Sequence, residues 1–248
     1  MENGTSDSHK IVTRWGPWAT VFWGLGCALV MAATQTAGAA IFLVWWHFVH
    51  PDQPIRVEDL GSNGSALTFA FLFSTPFLLG FVALAVRLAR ADLVEYLALK
   101  WPRWRDIGIG VAAVAGVLLI AGVAEQALGQ DDPAFLSDTF STAESAGMLP
   151  LMFVAFVILA PLQEEILFRG FLYRGLAPAW GPGRTIVLLS AIWAILHVQY
   201  AWFFIVEIFA LGLTFGWLRQ RSGSTSLTII LHTANNALAM VAAGLMRP

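Results

Sequence analysis

Apolar residues fill seven long blocks of this chain, separated by short polar connections, and most blocks are far longer than a buried strand. They predict helices over residues 18–49, 66–86, 107–123, 148–173, 185–199, 201–218 and 227–245. The fifth and sixth blocks are short and closely joined. The first is too long for an upright span, but Trp18 and Trp23 at one end and Trp45 and Trp46 at the other read as interfacial belts on a tilted helix. Residues 1–15, with His9, Lys10 and Arg14, form a polar tail ahead of these blocks. Trp101, Pro102 and Trp104 read as an interfacial turn with a short helix lying on the membrane. The fold class predicted is all-α, a polytopic transmembrane bundle of about seven spans.

Composition narrows the class. Hydrophobic residues make up 58% of the chain and charged residues only 12%, so the partner predicted is a lipid bilayer and nothing supports binding of nucleic acid. The net charge of -2 matters less than where the charges fall. Arg87, Arg90, Lys100, Arg103 and Arg105 crowd the second loop, Arg174 and Arg184 the fourth, and Arg219 and Arg221 the sixth. The first loop sets Asp52, Glu58 and Asp59 against Arg56, and the third carries Asp131, Asp132, Asp138 and Glu144 without Lys or Arg. The positive loops belong in the cytoplasm, which makes the N-terminal tail cytoplasmic in a multi-pass membrane protein. Cys27 is the only cysteine, and it reads as a small buried hydrophobe.

Against this background Glu164, Glu165 and Arg169 stand out within the fourth block, since an ionised side chain at the bilayer centre costs about 2.5–3.5 kcal/mol. Glu165 and Arg169 are spaced i,i+4 with the acid first, the arrangement in which a helix bridges its own ion pair. Glu164 points about 100° away, on a face with Phe168 and Phe171, and is left as the candidate base. His197, His232 and Asn236 fall at a similar depth on other helices. His197 beside Glu164 would polarise a water, while His232 and Asn236, one turn apart, would offer donors to an oxyanion. Ser190, Gln199, Trp193 and Glu207 are further candidates, the last two as cavity-lining residues. Gly212 and Gly216 form a GxxxG that marks close helix packing. Each polar residue alone has a structural reading as interhelical glue.

Three motifs carry a resemblance. EEILFRGFLYR contains EExxxR at Glu164, Glu165 and Arg169; WAILH resembles FxxxH with Trp193 in place of the phenylalanine and His197 as its histidine; HTANN contains HxxxN at His232 and Asn236. Over roughly residues 80–245 the chain is similar to the CPBP family, which includes the CAAX prenyl endopeptidases of the Rce1 type and bacterial Abi relatives. The resemblance implies a protease core over residues 80–248 behind a loosely constrained transmembrane region, residues 16–79. It implies a glutamic intramembrane endopeptidase acting on a membrane-associated peptide or protein. Glu164 and His197 would activate water, His232 and Asn236 would stabilise the oxyanion, and Glu165 with Arg169 would support them. No cofactor is expected, although the spacing leaves open a zinc peptidase with Glu164, His197 and His232 as a His2Glu ligand set. A non-enzymatic immunity protein, scaffold or transporter is the alternative from a different class.

Overall fold

The computed structural model describes residues 16–130 and 134–245; the polar tail and the acidic pair Asp131 and Asp132 lie outside the described residues. Among those described there are helices and no strands. Helix α1 (Pro17–Val49) packs along α2 (Gly64–Leu88); a short α3 (Leu93–Tyr96) leads to α4 (Trp104–Leu128), and α5 (Ala134–Ser145) to the long α6 (Leu149–Trp180). Then come α7 (Pro182–Ile195), α8 (Trp202–Ser222) and α9 (Thr225–Leu245). Six of these, all but α3, α5 and α7, are long and apolar enough to cross a membrane.

The seven predicted blocks each contain a helix, but α7 differs from its block. Its 14 residues span roughly 21 Å, short of a hydrocarbon core about 30 Å thick. It ends at Ile195, so His197 lies in the turn beyond it and not on the helix. The short helix expected around Trp101 is found earlier, at Leu93–Tyr96, capped by the Asp92 side chain accepting from the Glu95 N–H. Trp101 and Trp104 are both exposed beside it. Helix α5 was not foreseen, because its alternation of Ser, Thr and acidic residues lacks the apolar periodicity of a span.

Helix α6 holds the features that position the site. Between its α-helical stretches it is wound as π-helix at Val154–Leu159 and again at Ile166–Leu172. In the first stretch the Ala160 N–H reaches back five residues to the Ala155 carbonyl. In the same register the Phe156 carbonyl would meet position 161, which is a proline without an N–H. That carbonyl is left open, and it accepts from Asn236 Nδ2 of α9 at 2.9 Å. The second stretch behaves alike: the Tyr173 N–H bonds the Phe168 carbonyl, and the Arg169 carbonyl accepts from Arg219 Nε of α8 at 3.0 Å. π-Windings in helices often mark functional segments.

Close packing brings α7 and α8 together. A β-carbon at Gly212 would come 2.9 Å from Ser190 Cβ and 3.1 Å from Trp193, and one at Gly216 would come 2.6 Å from Ile186. The GxxxG is therefore the contact line on α8. Ser190, 2% exposed, is turned into this seam.

Candidate functional site

The two glutamates of α6 occupy opposite environments. Glu165 is fully buried, and its Oε1 accepts from Arg169 Nη1 at 2.9 Å and from His232 Nδ1 at 3.0 Å. Arg169 extends the network by donating from Nη2 to the Gly212 carbonyl at 3.3 Å. Its guanidinium carbon also lies 4.6 Å from the Trp193 ring centre and 5.6 Å from that of Phe215. The aromatic faces and the carboxylate together surround a buried cation. One acid, one base and one imidazole thereby join α6, α8 and α9.

Glu164 faces the other way, with its side chain 20% exposed into a cavity of about 310 Å³. Its Oε2 accepts from Trp193 Nε1 at 2.5 Å and lies 4.0 Å from His232 Nε2. The indole N–H is a donor only, so Trp193 fixes the rotamer of this carboxylate in a single sense. A phenylalanine at position 193 has no such donor. The departure from FxxxH therefore adds a contact to the candidate base.

His197 reaches the cavity because α7 tightens before it ends. The His197 backbone N–H goes to the Ala194 carbonyl at 3.0 Å, leaving the Trp193 carbonyl open. His197 Nδ1 lies 2.8 Å from that carbonyl. A carbonyl can only accept, so Nδ1 carries the proton and, in the neutral ring, Nε2 keeps its lone pair. By the same argument His232 donates its Nδ1–H to Glu165 Oε1, and its Nε2 lies on the Glu164 side. The rings of Trp193 and His197 are 5.2 Å apart and those of Trp193 and His232 5.4 Å, so the indole stands between the two imidazoles.

Glu164, Trp193, His197, Gln199 and Asn236 line one cavity, with His232 at its edge. Glu207, half-buried on α8, is not among the residues that line the cavity, though its charge acts on Tyr200, which is. On its other side the carboxylate feels the charge of Glu125 on α4. Phe168 lines the cavity while Phe171 turns into the core against Tyr96, a divergence that follows from the π-winding between them. Gln163 was missed by sequence reasoning: it lines the cavity, donates to Thr75 Oγ1 at 2.7 Å and accepts from Ser74 Oγ at 3.2 Å. The signal was a third polar residue directly ahead of the glutamates and an S-T pair in the second block. Gln35 of α1 also lines the cavity, bringing the N-terminal helices into its wall.

Residues 146–238, which contain all three motifs, match a family model described as type II CAAX prenyl endopeptidase Rce1-like. These residues form an Rce1-like domain. The Rce1-like domain holds α6, α7, α8 and the part of α9 that bears His232 and Asn236, whereas Gln35, Ser74 and Thr75 come from outside it. The family and the six apolar helices together describe a multi-pass integral membrane protein. An Escherichia coli protein described as an uncharacterized 24.3 kDa protein is 28% identical over 142 residues, covering 55% of this chain. The chain spans 65% of that relative's length. No solved structure matches the chain.

Arg169→Leu is expected to collapse the network under the Rce1-like domain, because it strands the Glu165 carboxylate in a buried site. Breaking a buried ion pair from one side costs about 3–5 kcal/mol. The expected outcome is a sharp fall in the folded fraction recovered in detergent, read by size-exclusion chromatography. Wild-type recovery and thermal midpoint would show that the pair does not support the fold.

Proposed function

We propose that this protein is an intramembrane endopeptidase that hydrolyses a peptide bond of a membrane-associated peptide or protein, with water activated by Glu164 and His197. The observation that carries the reading is the separation of the two glutamates. Glu165 is consumed by Arg169 and His232, while Glu164 is held by one donor and open to a cavity. At family level, the match to a CAAX-type membrane protease supports the reaction.

In this mechanism a water lies between Glu164 and the His197 Nε2 lone pair, which accepts one of its hydrogens and orients the oxygen lone pair toward the scissile carbonyl. Glu164 takes the other proton as the oxygen attacks, and the carbonyl becomes a tetrahedral oxyanion. His232, carrying a proton on each ring nitrogen in this step, keeps its Nδ1–H donated to Glu165 Oε1 and turns its Nε2–H to that oxyanion. Asn236 donates one amide hydrogen to Phe156 and has its second for the oxyanion. Glu164 then returns its proton to the leaving amine as the C–N bond breaks. No covalent intermediate forms. Trp193 is a positioning residue in this scheme, because it touches the base and not the reacting atoms.

We place the chain in a bacterial cell membrane with its N-terminus in the cytoplasm. The basic second, fourth and sixth loops support that orientation, and the Escherichia coli relative supports the source. The reaction proposed is metal-free, with Glu164 and His197 acting on the water directly.

Glu164→Gln keeps the shape of the side chain and removes the base. It should abolish cleavage of peptides added to membranes carrying the overproduced protein while the purified variant elutes as the wild type does; cleavage at the wild-type rate sinks the assignment. Trp193→Phe keeps an aromatic ring against Arg169 but removes the N–H donor to Glu164, so the folded protein should show a kcat lowered more than its KM is changed. An unchanged kcat would mean that the indole N–H is idle. Purified wild-type protein should keep its activity after dialysis against a zinc chelator; activity lost to the chelator and restored by zinc would replace the metal-free mechanism.

A further inference from the structure

Of the described residues that line the cavity, only Tyr200 carries a hydroxyl, and the proposed mechanism leaves it unused. It follows His197 by three positions, and its N–H donates to the His197 carbonyl at 3.1 Å, closing the turn that leads into α8. The phenol lies along the imidazole, with ring centres 6.3 Å apart and planes 23° from parallel. From α5, Phe135 meets the same ring edge-on at 5.1 Å. One backbone bond and two ring contacts therefore hold Tyr200 in place. Ring by ring, Tyr200, His197, Trp193 and His232 form a row, so Tyr200 stands at its His197 end, away from His232.

The other polar groups around the candidate base are already engaged. The Trp193 N–H is given to Glu164, His197 Nδ1 to the Trp193 carbonyl, and the Gln163 carboxamide to Ser74 and Thr75. The Tyr200 hydroxyl differs: among the described residues no acceptor takes its hydrogen. It also keeps that hydrogen, because burial, then the charge of Glu164 and then that of Glu207 push the phenol up to about 12. Tyr200 thus offers the cavity a neutral donor near the carboxylate of Glu164.

The water of the proposed reaction lacks such a donor. It gives one hydrogen to Glu164 and the other to the His197 Nε2 lone pair, so both of its protein partners are acceptors. Two lone pairs remain on its oxygen and one of them attacks; with nothing bound to the other, the oxygen can turn about the line between its two acceptors. We infer that Tyr200 is a further catalytic residue, whose hydroxyl donates to the second lone pair of the attacking water and so aims the first at the scissile carbonyl. The contribution is one of orientation. Tyr200 keeps its proton throughout: as the new C–O bond forms, the water's proton passes to Glu164, and the phenol stays bonded to the same oxygen, now a hydroxyl of the tetrahedral intermediate. The oxyanion is served separately, by His232 and Asn236. The inference rests on the proposed peptidase reading, because it requires a water that attacks a peptide bond.

Tyr200→Phe keeps the contacts with His197 and Phe135 and removes only the hydroxyl. The test uses the purified full-length protein in detergent and, as substrate, the quenched fluorescent peptide that the wild type cleaves fastest from a random library. Tyr200→Phe should lower kcat about tenfold, the effect of one lost hydrogen bond, with KM, elution volume and thermal midpoint nearly unchanged. Placing 4-aminophenylalanine at position 200 returns a neutral donor to the same ring and should recover most of the lost kcat. A wild-type kcat in Tyr200→Phe, with Glu164→Gln inactive, overturns the role of Tyr200 and leaves the peptidase reading standing. A loss confined to KM, or one that the amino group does not repair, overturns it equally, since the ring would then bind substrate or pack without acting on the water. Cleavage that survives Glu164→Gln, or no library peptide cleaved by the wild type, overturns the peptidase reading and this inference with it.

Discussion

A cation in hydrocarbon must be surrounded by partners or the fold does not form, and Arg169 is that cation. Its guanidinium meets Glu165 one turn earlier on α6, the Gly212 carbonyl of α8 and the rings of Trp193 and Phe215, while Glu165 also takes His232 of α9. Four helices are thus held at one level by groups that cannot be separately satisfied. The GxxxG of α8 is part of the same solution. Only with hydrogen at Gly212 do Trp193 and the backbone of α8 come close enough for Arg169 to reach both.

The consequence for chemistry is a division between adjacent residues. Arg169 and His232 both converge on Oε1 of Glu165, while the helix turns its neighbour Glu164 about 100° away, toward the cavity. His232 belongs to both sides: Nδ1 serves the buried network and Nε2 faces Glu164 at 4.0 Å. A structural ion pair and a candidate reaction site therefore share one imidazole. Changes to the buried pair should be felt at the cavity even where no cavity residue is altered.

Much of this was legible in the sequence. The i,i+4 spacing of Glu165 and Arg169, the charges in otherwise apolar blocks, the GxxxG and the placement of His232 with Asn236 are local patterns, and local patterns survive without knowledge of tertiary contacts. Other elements required the neighbouring helices. Trp193 read as a hydrophobic substitution in a motif, and only the approach of α7 to α6 makes its N–H a donor to Glu164. His197 read as a helical residue, but tightening of the last turn put it beyond α7, where its ring takes the carbonyl released at Trp193. The two π-windings of α6 have no clear signature apart from Pro161, since the carbonyls they release are satisfied from α8 and α9. Glu207 shows the converse: a costly acid at a suggestive depth that is not among the residues lining the cavity.

By itself the sequence determined the class of the protein, its helical blocks, the sign of its loops and the identity of the polar residues that hydrocarbon would not tolerate unless they were used. Those are properties of composition and period, and they are set residue by residue. The tertiary structure decided which glutamate is buried, which imidazole nitrogen faces which carboxylate, which carbonyls need partners and which residues line the cavity. These depend on distances between helices remote in the chain, and such distances follow from packing and from buried charge satisfied jointly, which no single stretch of sequence contains.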